Sequence, residues 1–254
     1  MDQTSVKLQN TYKKTLSPIG AKQVSVIQPP AMIECLTVTL MVGADGCKFP
    51  ATILFKGAKK TGVLSEKIMQ KLVIPENVRV YSTARGWWTT LFDRKWLPDY
   101  IKQKQQGGCL IRDQATVHCN VASRFFLEEK GIEQIFIPTG LTGTYQPLDV
   151  GVNYPFKCYL KKSYHEWRDG RTKVTKKGYL KKPDRQDFIN FVSSAWEKIT
   201  VSTVWNTFSG AQIIPEPLYM LAGQEDTDSI AENENLDTSF EWSFSSTEES
   251  FIEE

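Results

Sequence analysis

Three aspartates stand at the ends of segments that the residue pattern marks as secondary structure. Asp2 lies at the chain start, Asp113 closes the apolar run Cys109–Asp113, and Asp149 follows Pro147, where a helix can begin. Between Asp113 and Asp149 lie 35 residues. In an open α/β sheet the ends of strands are where acidic side chains reach a ligand. Each also has an ordinary reading, Asp149 as a helix cap and Asp113 as a turn residue. Cys109, His118 and Cys119 are zinc-ligand types, but they lack a second pair at suitable spacing, so zinc is set aside.

Charge gives a second chemical signal. The chain carries 31 Lys and Arg against 29 Asp and Glu, a net +2. Twelve of the acidic residues fall from Glu216 onward, where there is no Lys or Arg, so the first 215 residues set 31 basic groups against 17 acidic and carry +14. Within Phe156–Lys182, ten Lys and Arg face only Glu166 and Asp169. A basic body with an acidic tail suits a protein that handles a polyanion; the plain alternative is a solvated lysine-rich loop.

The elements that must position these residues follow from pattern. At 254 residues, 41% hydrophobic and 24% charged, the chain suits one large globular domain or two small ones. Five cysteines are too few and odd in number for a secreted disulfide scaffold, which points to a reducing compartment. No apolar run approaches the ~20 residues of a membrane helix. Met32–Val42 and Phe49–Phe55, with Asp45-Gly46 between them, predict a β-hairpin. Trp88, Leu91, Phe92 and Trp96 recur at helical spacing and read as a core-facing stripe. Cys109–Asp113 and Gln134–Ile137 read as strands flanking a helix Val121–Lys130 capped by Asn120, and a short helix is expected near Ser65–Lys71. Leu148 onward predicts a helix toward Trp167, Asp184 caps another, and a last one spans about Val201–Phe208. Residues 216–254 read as a disordered acidic tail, leaving 1–215 as the folded domain. The order of elements predicts an α/β fold with a mixed sheet.

The segment Ile137-Pro138-Thr139 through Gln146-Pro147-Leu148-Asp149 and on to Phe156-Lys157 resembles the P-x-x-x-T…Q-P-L-D…K signature of the DDE superfamily endonucleases, the Tigger, pogo and jerky-type transposases related to centromere protein B. Asp113 with His118 resembles the family's strand-D-N…H block. Met1-Asp2-Gln3-Thr4 matches N-x-D-E/Q-T, and Gly20-Ala21-Lys22 the step after it. Gly86-Trp87, Phe92 and Trp96-Leu97 fit the G-W…F…W-L helix, and Ala195-Trp196 to Phe208 the C-terminal region.

The resemblance implies an RNase H-like mixed sheet flanked by helices, with Asp2, Asp113 and Asp149 as a catalytic triad that holds Mg²⁺ or Mn²⁺. Hard carboxylate oxygens suit those cations, which leave room for water and phosphate in their shells. The implied function is phosphodiester hydrolysis or strand transfer on DNA, in the nucleus, with a catalytically inactive, domesticated DNA- or chromatin-binding protein as the alternative. His118 would orient a ligand or meet phosphate, and Lys157, Lys161 and Lys162 would track the nucleic-acid backbone. Trp87 and Trp88 could stack on bases, but read first as core.

Three departures from the family pattern carry expectations of their own. The apolar strand expected before Asp2 is missing, so the first strand is truncated. Arg112 replaces an aliphatic residue in a buried strand, where an unpaired guanidinium would be costly. The N-terminal helix-turn-helix domains are absent, as in a catalytic domain separated from its targeting module.

Overall fold

The expected hairpin forms the centre of the sheet. A computed structural model describes residues 1–7, 19–20, 35–101, 107–170, 176 and 182–214. Its strands and helices run, in order, β1 (Asp2–Lys7), β2 (Cys35–Leu40), β3 (Ala51–Lys56), α1 (Glu66–Met69), β4 (Val78–Thr83), α2 (Thr90–Ile101), β5 (Gly108–Asp113), α3 (Val121–Glu129), β6 (Ile132–Ile137), α4 (Thr142–Tyr145), a π-helical turn Leu148–Val152, α5 (Asn153–Asp169), α6 (Arg185–Glu197) and α7 (Val201–Gly210).

Strands β1 to β4 form one mixed sheet in sequence order, with β1/β2 and β2/β3 antiparallel and β3/β4 parallel. Strands β5 and β6 pair in parallel, separately. The Met1 nitrogen donates to the Ile111 carbonyl at 2.9 Å, which brings the head of β1 against β5. The fold is therefore α/β with a mixed sheet, as the pattern predicted. Six residues from Asp2 onward supply β1, a strand the sequence reading did not assign after Asp2. Strand β4 was also missed, because Val78–Thr83 mixes polar and apolar residues in what reads as a connector. The tail 216–254, the basic residues 171–175 and 177–181, and Ala21-Lys22 lie outside the described residues.

Residues Ala51–Phe55 of β3 are all buried, the mark of a strand covered on both faces. Ala51, Ile53 and Phe55 join Leu36, Val38 and Leu40 of β2 in a core with Phe156 and Leu160 of α5 and Phe188, Val192 and Trp196 of α6. Leu54 faces the other way, into a second core with Trp88, Phe92, Trp96, Tyr100 and Leu127. The alternation of a strand thus makes a helix–sheet–helix sandwich from one central element. Thr52, fully buried on that second face, is satisfied by Trp96 Nε1 at 2.9 Å and by the Tyr100 hydroxyl at 2.5 Å. The aromatic stripe of α2 is core at Trp88, Phe92 and Trp96, but Leu91 is 76% exposed. Trp87, at 62%, is exposed too, so the two tryptophans divide between surface and core.

The helix starts are chemically marked. Asn120 accepts from the Ser123 N–H at 2.8 Å, and Asp184 and Asp187 form a reciprocal capping box at the head of α6.

Candidate active site

Asp2 and Asp149 meet through a residue that the sequence reading did not single out. The Asn153 side-chain amide donates to Asp2 Oδ2 at 2.6 Å and to Asp149 Oδ1 at 2.7 Å. Asn153 follows Asp149 by four positions, one helical turn on the same face, and that spacing was the available signal. It is buried, and its own Oδ1 has no hydrogen-bond partner among the described residues. Burial raises the Asp2 carboxyl, the charge of Asp149 raises it further and that of Asp113 adds to this, so that it titrates at about 7 despite the Asn153 hydrogen bond. Asp149 is likewise raised, first by burial and then by Asp113, against the pull of Asn153 and Lys157.

Lys157 completes a stripe of 149, 153 and 157 along the π-helical turn and α5. Burial lowers its ammonium, and the charges of Asp2 and Asp149 oppose that change. Lys161 is part-buried and Lys162 exposed on the same helix.

Asp113 stands at the end of β5, beside the pair rather than in it. Its Oδ1 lies 3.4 Å from His118 Nε2. Among the described residues, no three His, Cys, Asp or Glu side chains are gathered as a ligand set for one ion as they stand. The donor chemistry still suits a hard divalent cation. Two neighbouring carboxylates, Asp2 part-buried and Asp149 exposed, with an amide N–H group holding them together, are what a cation between them would stabilise.

His118 is 1% exposed, so the structure puts it inside the protein, not at a surface where phosphate would meet it. Its Nδ1 lies 3.0 Å from Arg112 Nη1 and 3.2 Å from Asp93 Oδ1, and its Nε2 lies 2.9 Å from the Gln3 amide nitrogen. Arg112 is fully buried but not unpaired. Its Nη1 donates to Asp93 Oδ1 at 2.8 Å and its Nη2 to the His118 carbonyl at 3.2 Å, while the Gln134 amide oxygen, turned toward it, accepts from Nε and Nη2. The expected penalty is thereby offset. Asp93 also accepts from Trp88 Nε1 at 3.0 Å, Ser123 Oγ at 2.7 Å and Asn120 Nδ2 at 3.3 Å. Burial alone would raise Asp93, but the His118 hydrogen bond and the Arg112 charge hold it well below the usual carboxylate range. Sequence reasoning passed over Asp93 because it sits amid the apolar stripe of α2. An acid there was itself the sign of a buried partner.

The sequence profile of the DDE superfamily endonuclease family matches residues 34–208, which include Asp113 and Asp149 but not Asp2. Two curated relatives, the mouse and human "Pogo transposable element with KRAB domain", are 26% and 27% identical over 220 residues. That alignment covers 84% of this chain, which spans 34% of each relative's length. A solved structure, the Mos1 transposase paired-end complex with left transposon end, aligns over 83% of this chain and 54% of its own, at 12% identity and a TM-score of 0.41. With more than half its length matched, QPLD block included, the chain belongs to the DDE superfamily endonuclease family.

Proposed function

We propose that residues 1–215 form an RNase H-like, transposase-derived domain that cleaves or joins DNA phosphodiesters in the nucleus, with Asp2, Asp113 and Asp149 as the ligands of Mg²⁺ or Mn²⁺. The observation that carries this reading is the Asn153 bridge between Asp2 and Asp149, which lie 147 positions apart in the chain. When bound, such a cation stabilises the charge on the attacking and leaving oxygens of an in-line phosphoryl displacement. Asp2 and Asp149 provide hard oxygens already held side by side, and Asp113 closes the set from the end of β5 with the carboxylate oxygen that does not face His118. Asn153 keeps the two carboxylates together against their repulsion. Lys157 offers its ammonium to a phosphate beside Asp149, and with Lys161 and Lys162 it tracks the backbone without reading sequence. Water or a DNA 3′-hydroxyl serves as the nucleophile, so no covalent enzyme intermediate is required. The curated relatives, whose printed name describes a pogo transposable element, support the choice of DNA.

Purified chain should nick plasmid DNA in Mg²⁺, and Asp113→Ala and Asp149→Ala should abolish nicking. Equal cleavage by all three proteins would refute the triad. A non-catalytic DNA-binding role is favoured by one observation, that Asp113 stands apart from the other two acids. In that case DNA binding persists, but Mn²⁺ gives no thermal stabilisation.

A further inference from the structure

We propose that His118 is a positioning residue for Asp113, held in place by the buried Asp93–Arg112 pair; the claim builds on the proposed role of Asp113 as a metal ligand. Asp93, Arg112 and His118 are each no more than 1% exposed, so their bonds are formed away from water, and each partner is needed to satisfy the others. The three come from separate elements, Asp93 from α2, Arg112 from β5 and His118 from the loop before α3. Ser123 and Asn120 tie the same carboxylate to the head of α3, and Gln134 of β6 holds the far side of the guanidinium. The imidazole therefore has one fixed edge: its Nδ1 is set between Arg112 Nη1 and Asp93 Oδ1. Its other edge is presented to the site. Nε2 lies between the Gln3 amide of β1 and Asp113 Oδ1 of β5, at 2.9 and 3.4 Å. Gln3 is adjacent to Asp2, so one ring touches both strands that deliver acids to the site. A carboxylate at an open strand end, 38% exposed, has little else to fix its rotamer. Groups that orient a ligating carboxylate typically change metal affinity when removed.

Asn and Gln substitutions separate the two edges of the ring. His118→Asn retains a polar group near the Nδ1 position and loses the reach to Asp113. His118→Gln extends an amide toward the Nε2 position. With both variants shown folded by circular dichroism, Mn²⁺ titration followed by electron paramagnetic resonance should show His118→Asn weakened by about 10–100-fold and His118→Gln closer to wild type. Equal affinities in the two variants, or wild-type affinity in His118→Asn, would overturn the proposal. A second measurement needs neither metal nor a folded His118 variant. In ¹⁵N spectra of the metal-free chain, Asp113→Asn should move the His118 Nε2 resonance while Nδ1 stays near its wild-type position. An unmoved Nε2 would overturn the positioning role. If wild-type chain binds no Mn²⁺ at all, the metal-site reading fails by itself, and the ¹⁵N comparison still decides the role of His118.

Discussion

Replacing Asp2 by Asn should stabilise the metal-free protein, and only above about pH 4. A carboxyl that titrates at about 7 when folded, against 3.8 when released, binds more protons in the folded state between those values. Stability is unaffected below the lower value, falls as pH rises through the interval, and stays reduced above the upper one. At 1.36 kcal/mol for each pH unit, the cost reaches about 4 kcal/mol at most, and about 2–4 kcal/mol once the part-exposed edge of Asp2 is allowed some solvent screening. The Asp2→Asn variant removes that charge while keeping an oxygen for the Asn153 amide. Urea unfolding in EDTA should therefore show the variant about 2–4 kcal/mol more stable at pH 8 and indistinguishable from wild type near pH 4. Asp149 is raised in both proteins, so its contribution largely cancels in the difference. Mg²⁺ at about 1,000 times its Kd adds about 4.1 kcal/mol to the protein that binds it and should close or reverse the gap. A gap of equal size at pH 4 and pH 8, or a wild type more stable than the variant in EDTA at both, would refute the claim that burial and the Asp149 charge raise the Asp2 carboxyl.

Removing the buried Asp93 charge alone, as Asp93→Leu, should cost about 3–5 kcal/mol because Arg112 is left uncompensated. Adding Arg112→Met should recover much of the loss in urea melts, and additive losses would argue against the pairing. Lys157→Ala should weaken DNA binding and lower the slope of log K against log salt by about 1, measured by fluorescence anisotropy. A Cβ on Gly151, inside the π-helical turn, would lie 2.7 Å from Thr207 Cγ2 of α7, so Gly151→Ala should lower stability by about 1–3 kcal/mol. Thr207→Ser removes that methyl, keeps the hydroxyl that donates to the Val204 carbonyl at 2.7 Å, and should restore part of the loss in thermal melts.

What was legible in the sequence was local. The β2–β3 turn carries Asp-Gly, the caps Asn120 and Asp184 precede their helices, and the apolar period of α5 to α7 is regular, so these elements could be placed from neighbouring residues. Strands β1 and β4 could not. Their residues are polar or mixed, and each becomes a strand by pairing with a partner distant in sequence: Asp2 with Leu40, and Val78 with Ala51. The same holds at the site. Asp2, Asp113 and Asp149 were visible through motif resemblance, whereas Asp93 and Arg112 have meaning only as a pair 19 positions apart that meets in the interior. Arg112, read alone, looked like a defect in a buried strand.

The alternation of β1 explains why that interior pair bears on the site at all. Asp2 and Val6 point toward α5 and the π-helical turn, where Asn153 bridges the acids, whereas Gln3 points to the opposite face, where it meets His118. A strand cannot slip by one residue without exchanging those faces. Bonds made by Gln3 in the Asp93–Arg112–His118 layer therefore hold Asp2 in register on the other side of the sheet. The same rule places Arg112 and Asp113 on opposite faces of β5, the guanidinium inward to Asp93 and the carboxylate toward the open end of the strand. A buried charge pair can cost more than it returns in stability when judged against an apolar core. Its value in this fold lies in geometry: through His118 it meets Gln3, the neighbour of Asp2 on β1, and Asp113 at the end of β5, so one buried pair bears on two strands of separate sheets.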